Sequence, residues 1–178
     1  IAIEGAIGAG KTSLAQLLAE RTKARLVLEE LEENPFLSKF YEDKTKYAFQ
    51  SQLFFLLNRY GQQRELLQQD LFYDRIISDY LFSKDRIFAY LNLDEDELLL
   101  YEHIYEFLDE AIPKPDLVVY LQASTDILME RIRRGNREYE KRISQEYLRE
   151  LNERYNSFFF HYSQTPLMVV NTDNLDFI

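Results

Sequence analysis

The densest chemical signal in the chain is Gly5-Ala6-Ile7-Gly8-Ala9-Gly10-Lys11-Thr12, followed by Ser13. Three of the five glycines fall within six consecutive positions of it. Glycine lets the backbone turn so that successive N–H groups point at one anion. The start of the helix that follows adds partial positive charge. Lys11 supplies a side chain able to reach β- and γ-phosphates, and Thr12 a hydroxyl for a divalent cation. Residues Gly5 to Ser13 are therefore expected to hold ATP with Mg2+.

Two carboxylates come next. Asp79 closes the apolar run 75–79, where a carboxylate can face bound magnesium beside Thr12, although the same residue type also caps helices. Glu29 closes the run 26–29. In open α/β sheets ligands gather at the carboxyl ends of strands, so both acids are expected at one crevice. A sugar hydroxyl attacks phosphorus only when its proton is accepted, and Glu29 is the candidate base. The acids that follow it, Glu30, Glu32 and Glu33, read as a solvated face ended by Asn34-Pro35. Neither a D-x-x-G switch nor an N-K-x-D guanine reader occurs, and Asn171-Thr172-Asp173 lacks the lysine. A kinase of a small acceptor is the economical reading.

Gln52 and Arg59 are seven residues apart and so share a helical face, either toward a ligand or as an exposed polar stripe. Arg131, Arg133, Arg134, Arg137, Lys141 and Arg142 crowd into twelve positions around Gly135-Asn136. That is either a solvated basic helix end or a lid at about 131–142 that stabilises charge on a transferring phosphoryl group.

The elements that must position these residues alternate. Short apolar runs at 1–4, 25–29, 75–79, 116–122 and 167–171 read as strands covered on both faces. Helical periodicity fills the gaps, with stripes Leu14/Leu17/Leu18 and Tyr101/Ile104/Tyr105/Leu108. A third stripe runs through Leu148, Leu151, Tyr155, Phe158, Phe159 and Tyr162, and the longest helical stretch covers about 44–69. The expectation is one α/β domain over 1–178, a central five-stranded parallel sheet flanked by helices.

Composition narrows the function. The 178 residues are 46% hydrophobic, enough for a core, and no apolar run is long enough to span a bilayer. A net charge of −10 disfavours a nucleic acid polymer as partner. The absence of cysteine removes thiolate chemistry, disulfides and Cys-based zinc sites. A soluble protein without a membrane partner is expected. The sequence opens at Ile1, which leaves an N-terminal extension open.

Taken together, Glu29 to Pro35, Tyr41-Glu42-Asp43, Phe49-Gln50-Ser51-Gln52 and Arg131-Ile132-Arg133-Arg134 resemble the deoxyribonucleoside kinases, in particular the bacterial deoxyadenosine/deoxyguanosine branch. The resemblance spans nearly the whole chain in order. It implies a P-loop kinase fold and transfer of the ATP γ-phosphate to the 5′-hydroxyl of a deoxyribonucleoside, with purines preferred, in salvage. It further implies a cytoplasmic homodimer. Lys11, Glu29, Arg131 and Arg133 would be catalytic, with Glu29 the base; the proline usual after it is Glu30 here. Tyr41 and Glu140 would hold the sugar 3′-hydroxyl. Gln52 would pair with the base, with Arg59 and Asp85 reading its edge; Arg131 and Arg133 would contact phosphate, and Arg137 would organise the base pocket. One position departs: the arginine usual after the third-strand acid is Tyr80. Arg75 stands at the wrong end of that strand, and Arg86 is the possible substitute.

Two alternatives remain at this level. One is a thymidylate-kinase-type enzyme acting on nucleoside monophosphates. The other is a silent subunit that binds nucleotide without turnover.

Overall fold

The computed structural model describes residues 1–30, 34–66, 73–135 and 140–175. Their order is β1 (Ala2–Glu4), α1 (Lys11–Thr22), β2 (Arg25–Val27), α2 (Leu37–Glu42), α3 (Lys44–Leu66), β3 (Ile76–Ser78), α4 (Asp85–Asn92), α5 (Glu95–Asp109), β4 (Val118–Gln122), α6 (Thr125–Arg134), α7 (Gln145–Phe160) and β5 (Leu167–Asn171). Short 3-10 turns occupy Phe82–Lys84 and Glu140–Arg142. The chain gathers into two compact units.

The first unit, Ile1–Leu28, Phe72–Leu81 and Pro115–Ile178, holds the sheet. All five strands are parallel, in the order β2-β3-β1-β4-β5. β1 and β3 are neighbours, paired at Ala2 and Ser78. The loop after β1 and Asp79 after β3 therefore leave the sheet at the same edge. Helix α1 presents buried Ala15 and Ala19, with Leu14, Leu17 and Leu18 only half-buried beside them. The expected leucine stripe is thus a flank, because small side chains sit at the line of closest approach. On α7 the expected stripe is the core face: Leu148, Leu151, Tyr155 and Phe159 are buried. Tyr120 of β4 stacks on Phe159 with centroids 4.2 Å apart. β5 departs from the expectation of strands covered on both faces. It pairs with a neighbour only through β4 in this sheet, and Met168 and Val169 are 53% exposed.

The second unit, Glu29–Leu71 and Phe82–Lys114, is helical. Its core is Leu56, Phe82, Ala89, Tyr101, Tyr105, Leu108 and Ile112, which confirms the aromatic stripe of α5. The start of α5 is well specified, since Asp94 and Glu97 form a reciprocal capping box. Asn34 ties the entering segment to α3: its Nδ2 donates to Ser51 O at 3.1 Å, and its Oδ1 accepts from Phe36 N at 2.9 Å.

Candidate active site

In the sheet unit the site is a turn. Gly8 has φ 84°, and a Cβ there would stand 2.8 Å from Leu128 O. At Gly5 the reason is space alone, since a Cβ would meet Leu121 O of β4 at 2.6 Å. The loop is pressed onto its surroundings and admits no side chain at either place. Ala6 and Ala9 are buried, and Ile7 is half-buried. Gly10, Lys11, Thr12 and Ser13, at the entry to α1, are half-buried. Lys11 Nζ folds back over the loop and donates to Gly5 O at 2.8 Å and Ala6 O at 3.2 Å. Thr12 Oγ1 donates to Asp79 Oδ2 at 2.6 Å. Asp79 is 5% exposed and meets the loop through Thr12. A hydroxyl and a carboxylate in contact form an oxygen donor pair of the kind magnesium accepts, phosphates and water completing its shell.

Sequence reasoning passed over Glu4, the last residue of β1, which is fully buried. Its carboxylate accepts from Gly5 N at 2.9 Å, Leu81 N at 2.8 Å and Tyr155 OH at 3.3 Å. One acid thus ties the first loop residue to the segment that follows Asp79. A charged side chain inside an apolar strand was the available signal.

In the helical unit the site is a buried network of side chains. Gln52 and Arg59 are 6% and 4% exposed, so they are no surface stripe. Gln52 Nε2 donates to Asp85 O at 2.8 Å and to Asp85 Oδ2 at 2.7 Å. Asp85, fully buried, also accepts from Tyr101 OH at 2.7 Å and pairs with Arg59. Arg59 Nε in turn donates to Glu29 Oε1 at 2.7 Å, and its guanidinium lies 5.0 Å from the centroid of the Phe55 ring. Lys84 Nζ donates to the other oxygen, Glu29 Oε2, at 2.7 Å. Burial works to raise the Glu29 carboxyl, but Arg59 and Lys84 beside it prevail and hold it at about 2. Burial also pushes the Tyr101 hydroxyl far up, so it remains a donor to Asp85.

The remaining candidates lie on other elements. Tyr41 is half-buried on α2, its ring edge-on to Phe40 at 5.3 Å. Glu140 is half-buried in its 3-10 turn. Arg133 is exposed, whereas Arg131 donates to Thr172 Oγ1 at 3.0 Å, Thr172 O at 2.6 Å and Leu175 O at 2.8 Å. Arg134 pairs with Glu130 one turn back. Arg137 lies outside the described residues, as do Glu32 and Glu33; Glu30 is exposed. Tyr80 is fully buried. Arg86 Nε donates to Glu102 Oε1 of α5 at 3.0 Å.

The deoxynucleoside kinase family model matches residues 1–178. The chain belongs to this family. Deoxyguanosine kinase of Bacillus subtilis (strain 168) is 36% identical over 183 residues, covering 100% of this chain and 88% of that relative. Deoxyadenosine kinase of Dictyostelium discoideum is 35% identical, covering 96% of this chain and 71% of that relative. Among solved structures, deoxyadenosine kinase from M. mycoides with bound dATP superposes with a TM-score of 0.87 at 29% identity, covering 98% of this chain and 91% of that one. The five-stranded parallel sheet flanked by helices is the fold of this kinase family, and the chain is a phosphotransferase that phosphorylates a deoxynucleoside in salvage. Among the described residues no helix is long and apolar enough to cross a membrane.

Proposed function

We propose that this kinase transfers the γ-phosphoryl group of magnesium-ATP to the 5′-hydroxyl of a purine deoxynucleoside, deoxyguanosine or deoxyadenosine. The observation that carries this reading is the buried network Gln52–Asp85–Arg59–Glu29, which joins base-reading groups to an ionised acid within one helical unit. A guanidinium donates to guanine O6 and N7, while carboxylate and amide oxygens accept from the adenine amino group. The names of the similar kinases, acting on deoxyguanosine and deoxyadenosine, support the same class.

In this reading loop residues Gly5 to Ser13 bind the triphosphate, and Lys11 exchanges its carbonyl partners for phosphate oxygens. Thr12 and Asp79 would hold magnesium, which would neutralise charge on the phosphates. Glu29 accepts the hydroxyl proton as the O5′–P bond forms and the bond to the β-phosphate oxygen breaks, releasing ADP. Tyr41 and Glu140 hold the 3′-hydroxyl, and Arg137 organises the base pocket. Arg133, exposed, contacts phosphate; Arg131 does so on leaving the Thr172–Leu175 segment. Residues 131–142 act as the lid of a single kinase domain over 1–178.

Coupled ADP release over a panel of deoxynucleosides and their monophosphates tests the reading. Turnover on deoxyguanosine or deoxyadenosine is expected; turnover on monophosphates alone would overturn it. We further propose a cytoplasmic homodimer. Leu99, Leu100 and Phe107 lie exposed on α5, an apolar face suited to a second copy. A monomer by light scattering at working concentration would refute the dimer.

A further inference from the structure

The cation at Glu29 Oε2 is a lysine that no motif singled out. Lys84 stands at the end of the 3-10 turn Phe82–Lys84, and its side chain is 4% exposed against 7% for that of Glu29. A lysine is rarely buried so deeply unless its charge has a partner, because the ammonium is strongly hydrated. The turn also places Asp85 directly after Lys84. A single backbone segment therefore delivers the ammonium to Glu29 and the carboxylate to Gln52, Arg59 and Tyr101.

Charge counting gives this arrangement its meaning. Glu29 and Asp85 are two buried acids, and Arg59 reaches both. One guanidinium balances only one of them; Lys84 balances the other. Among the described residues, the charged groups set around Glu29 include Arg59 from α3 and Lys84 from the turn, with Asp85 joined through Arg59 and the Tyr101 hydroxyl joined through Asp85. Glu29 Oε1 belongs to the arginine and Oε2 to the lysine. The arginine is thus shared with the base-reading acid, whereas the lysine contact bears on the acid that meets the acceptor.

We propose that Lys84 is the positioning residue of the phosphoryl transfer, its ammonium orienting Glu29 Oε2 and keeping that carboxylate ionised to accept the 5′-hydroxyl proton. This rests on the assignment of Glu29 as the proton acceptor. Without Lys84, two buried carboxylates compete for one guanidinium, and like charges resist ionising together. Glu29 then binds a proton at higher pH, and the acid limb of the rate profile moves up.

The test is the pH dependence of kcat and kcat/KM for deoxyguanosine and deoxyadenosine phosphorylation in the full chain and in Lys84→Met, Lys84→Arg and Glu29→Gln, with thermal unfolding of each. Lys84→Met is expected to raise the acid limb by about one pH unit or more, so that the loss in kcat grows to about tenfold at the foot of that limb. That loss returns as pH rises above the shifted limb, and KM for ATP stays within about twofold. Lys84→Arg restores the wild-type limb. A folded Lys84→Met enzyme with an unshifted acid limb overturns the inference. Should that variant unfold, Lys84→Gln, which keeps a donor without the charge, is measured instead, and an unshifted limb there overturns it equally. A fully active Glu29→Gln enzyme would overturn the assignment of Glu29 itself. An inactive one, paired with an unshifted Lys84 variant, would overturn only the role of Lys84.

Discussion

The two units solve the problem of binding charge in opposite ways. The sheet unit uses backbone: the loop from Gly5 to Thr12 turns within a few residues, and its tolerances are set by a carbonyl 2.6 Å from where a Gly5 side chain would begin. The helical unit uses ionised side chains from separated segments, namely Glu29, Arg59, Lys84 and Asp85, each buried and each paired. A backbone cradle is neutral, so it can stand ready without a ligand. Buried ions need one another, so that network doubles as part of the unit's stability. Lesions in the cradle should therefore act mainly on nucleotide affinity, and lesions in the network on acceptor chemistry and stability together.

Glu29→Gln should break this comparison most sharply. It keeps shape but removes the negative charge, so kcat should fall by about 10²–10⁴, with ATP affinity by calorimetry nearly unchanged. Wild-type turnover would separate the network from the chemistry. Arg59→Met comes next: it leaves Glu29 and Asp85 facing each other without their shared partner. Denaturant unfolding should show a loss of about 3–5 kcal/mol, far more than a surface substitution gives.

Gly8→Ala probes the cradle. Forcing a Cβ at φ 84° should cost about 1–2 kcal/mol and weaken ATP binding while deoxynucleoside affinity in the absence of ATP is spared. Equal losses for both ligands would erase the contrast between the units.

Acid titration gives a graded version of the same test. Glu29 is held at about 2 against an ordinary 4.5, so the folded state binds its proton less readily than the unfolded chain. The stabilisation is therefore complete above pH 4.5 and is lost as pH falls from there toward about 2. Glu29→Gln should flatten that part of the stability curve, and an unchanged curve would place the acid sensitivity elsewhere. The smallest effect is expected at Arg134→Ala, whose partner Glu130 is half exposed. Its stability change should stay under about 0.5 kcal/mol in urea unfolding, since exposed pairs gain little over water.

The cradle was legible because it is contiguous. Glycine spacing, the lysine and the hydroxyl of Thr12 encode it locally, and the apolar run before it names the strand. The five strands were legible for the same reason, although their ends were not: β2 stops at Val27 and β3 at Ser78, leaving Glu29 and Asp79 just beyond. Gln52 and Arg59 could be set on one helical face, but periodicity cannot say whether a polar face is buried, and only the fold supplied Asp85 as their common partner. Likewise only the fold supplied Glu102 of α5 as the partner of Arg86.

What the sequence by itself determined is therefore the order of elements, the glycine-rich loop and the types of side chain available for chemistry. Which charges meet was decided by tertiary structure alone. The contacts of Glu29 with Arg59 and with Lys84 span thirty and fifty-five residues of chain, and that of Glu4 with Leu81 spans seventy-seven. No local pattern encodes a pairing across such distances; it exists only once burial strips water from both partners and leaves each the other as its solvent.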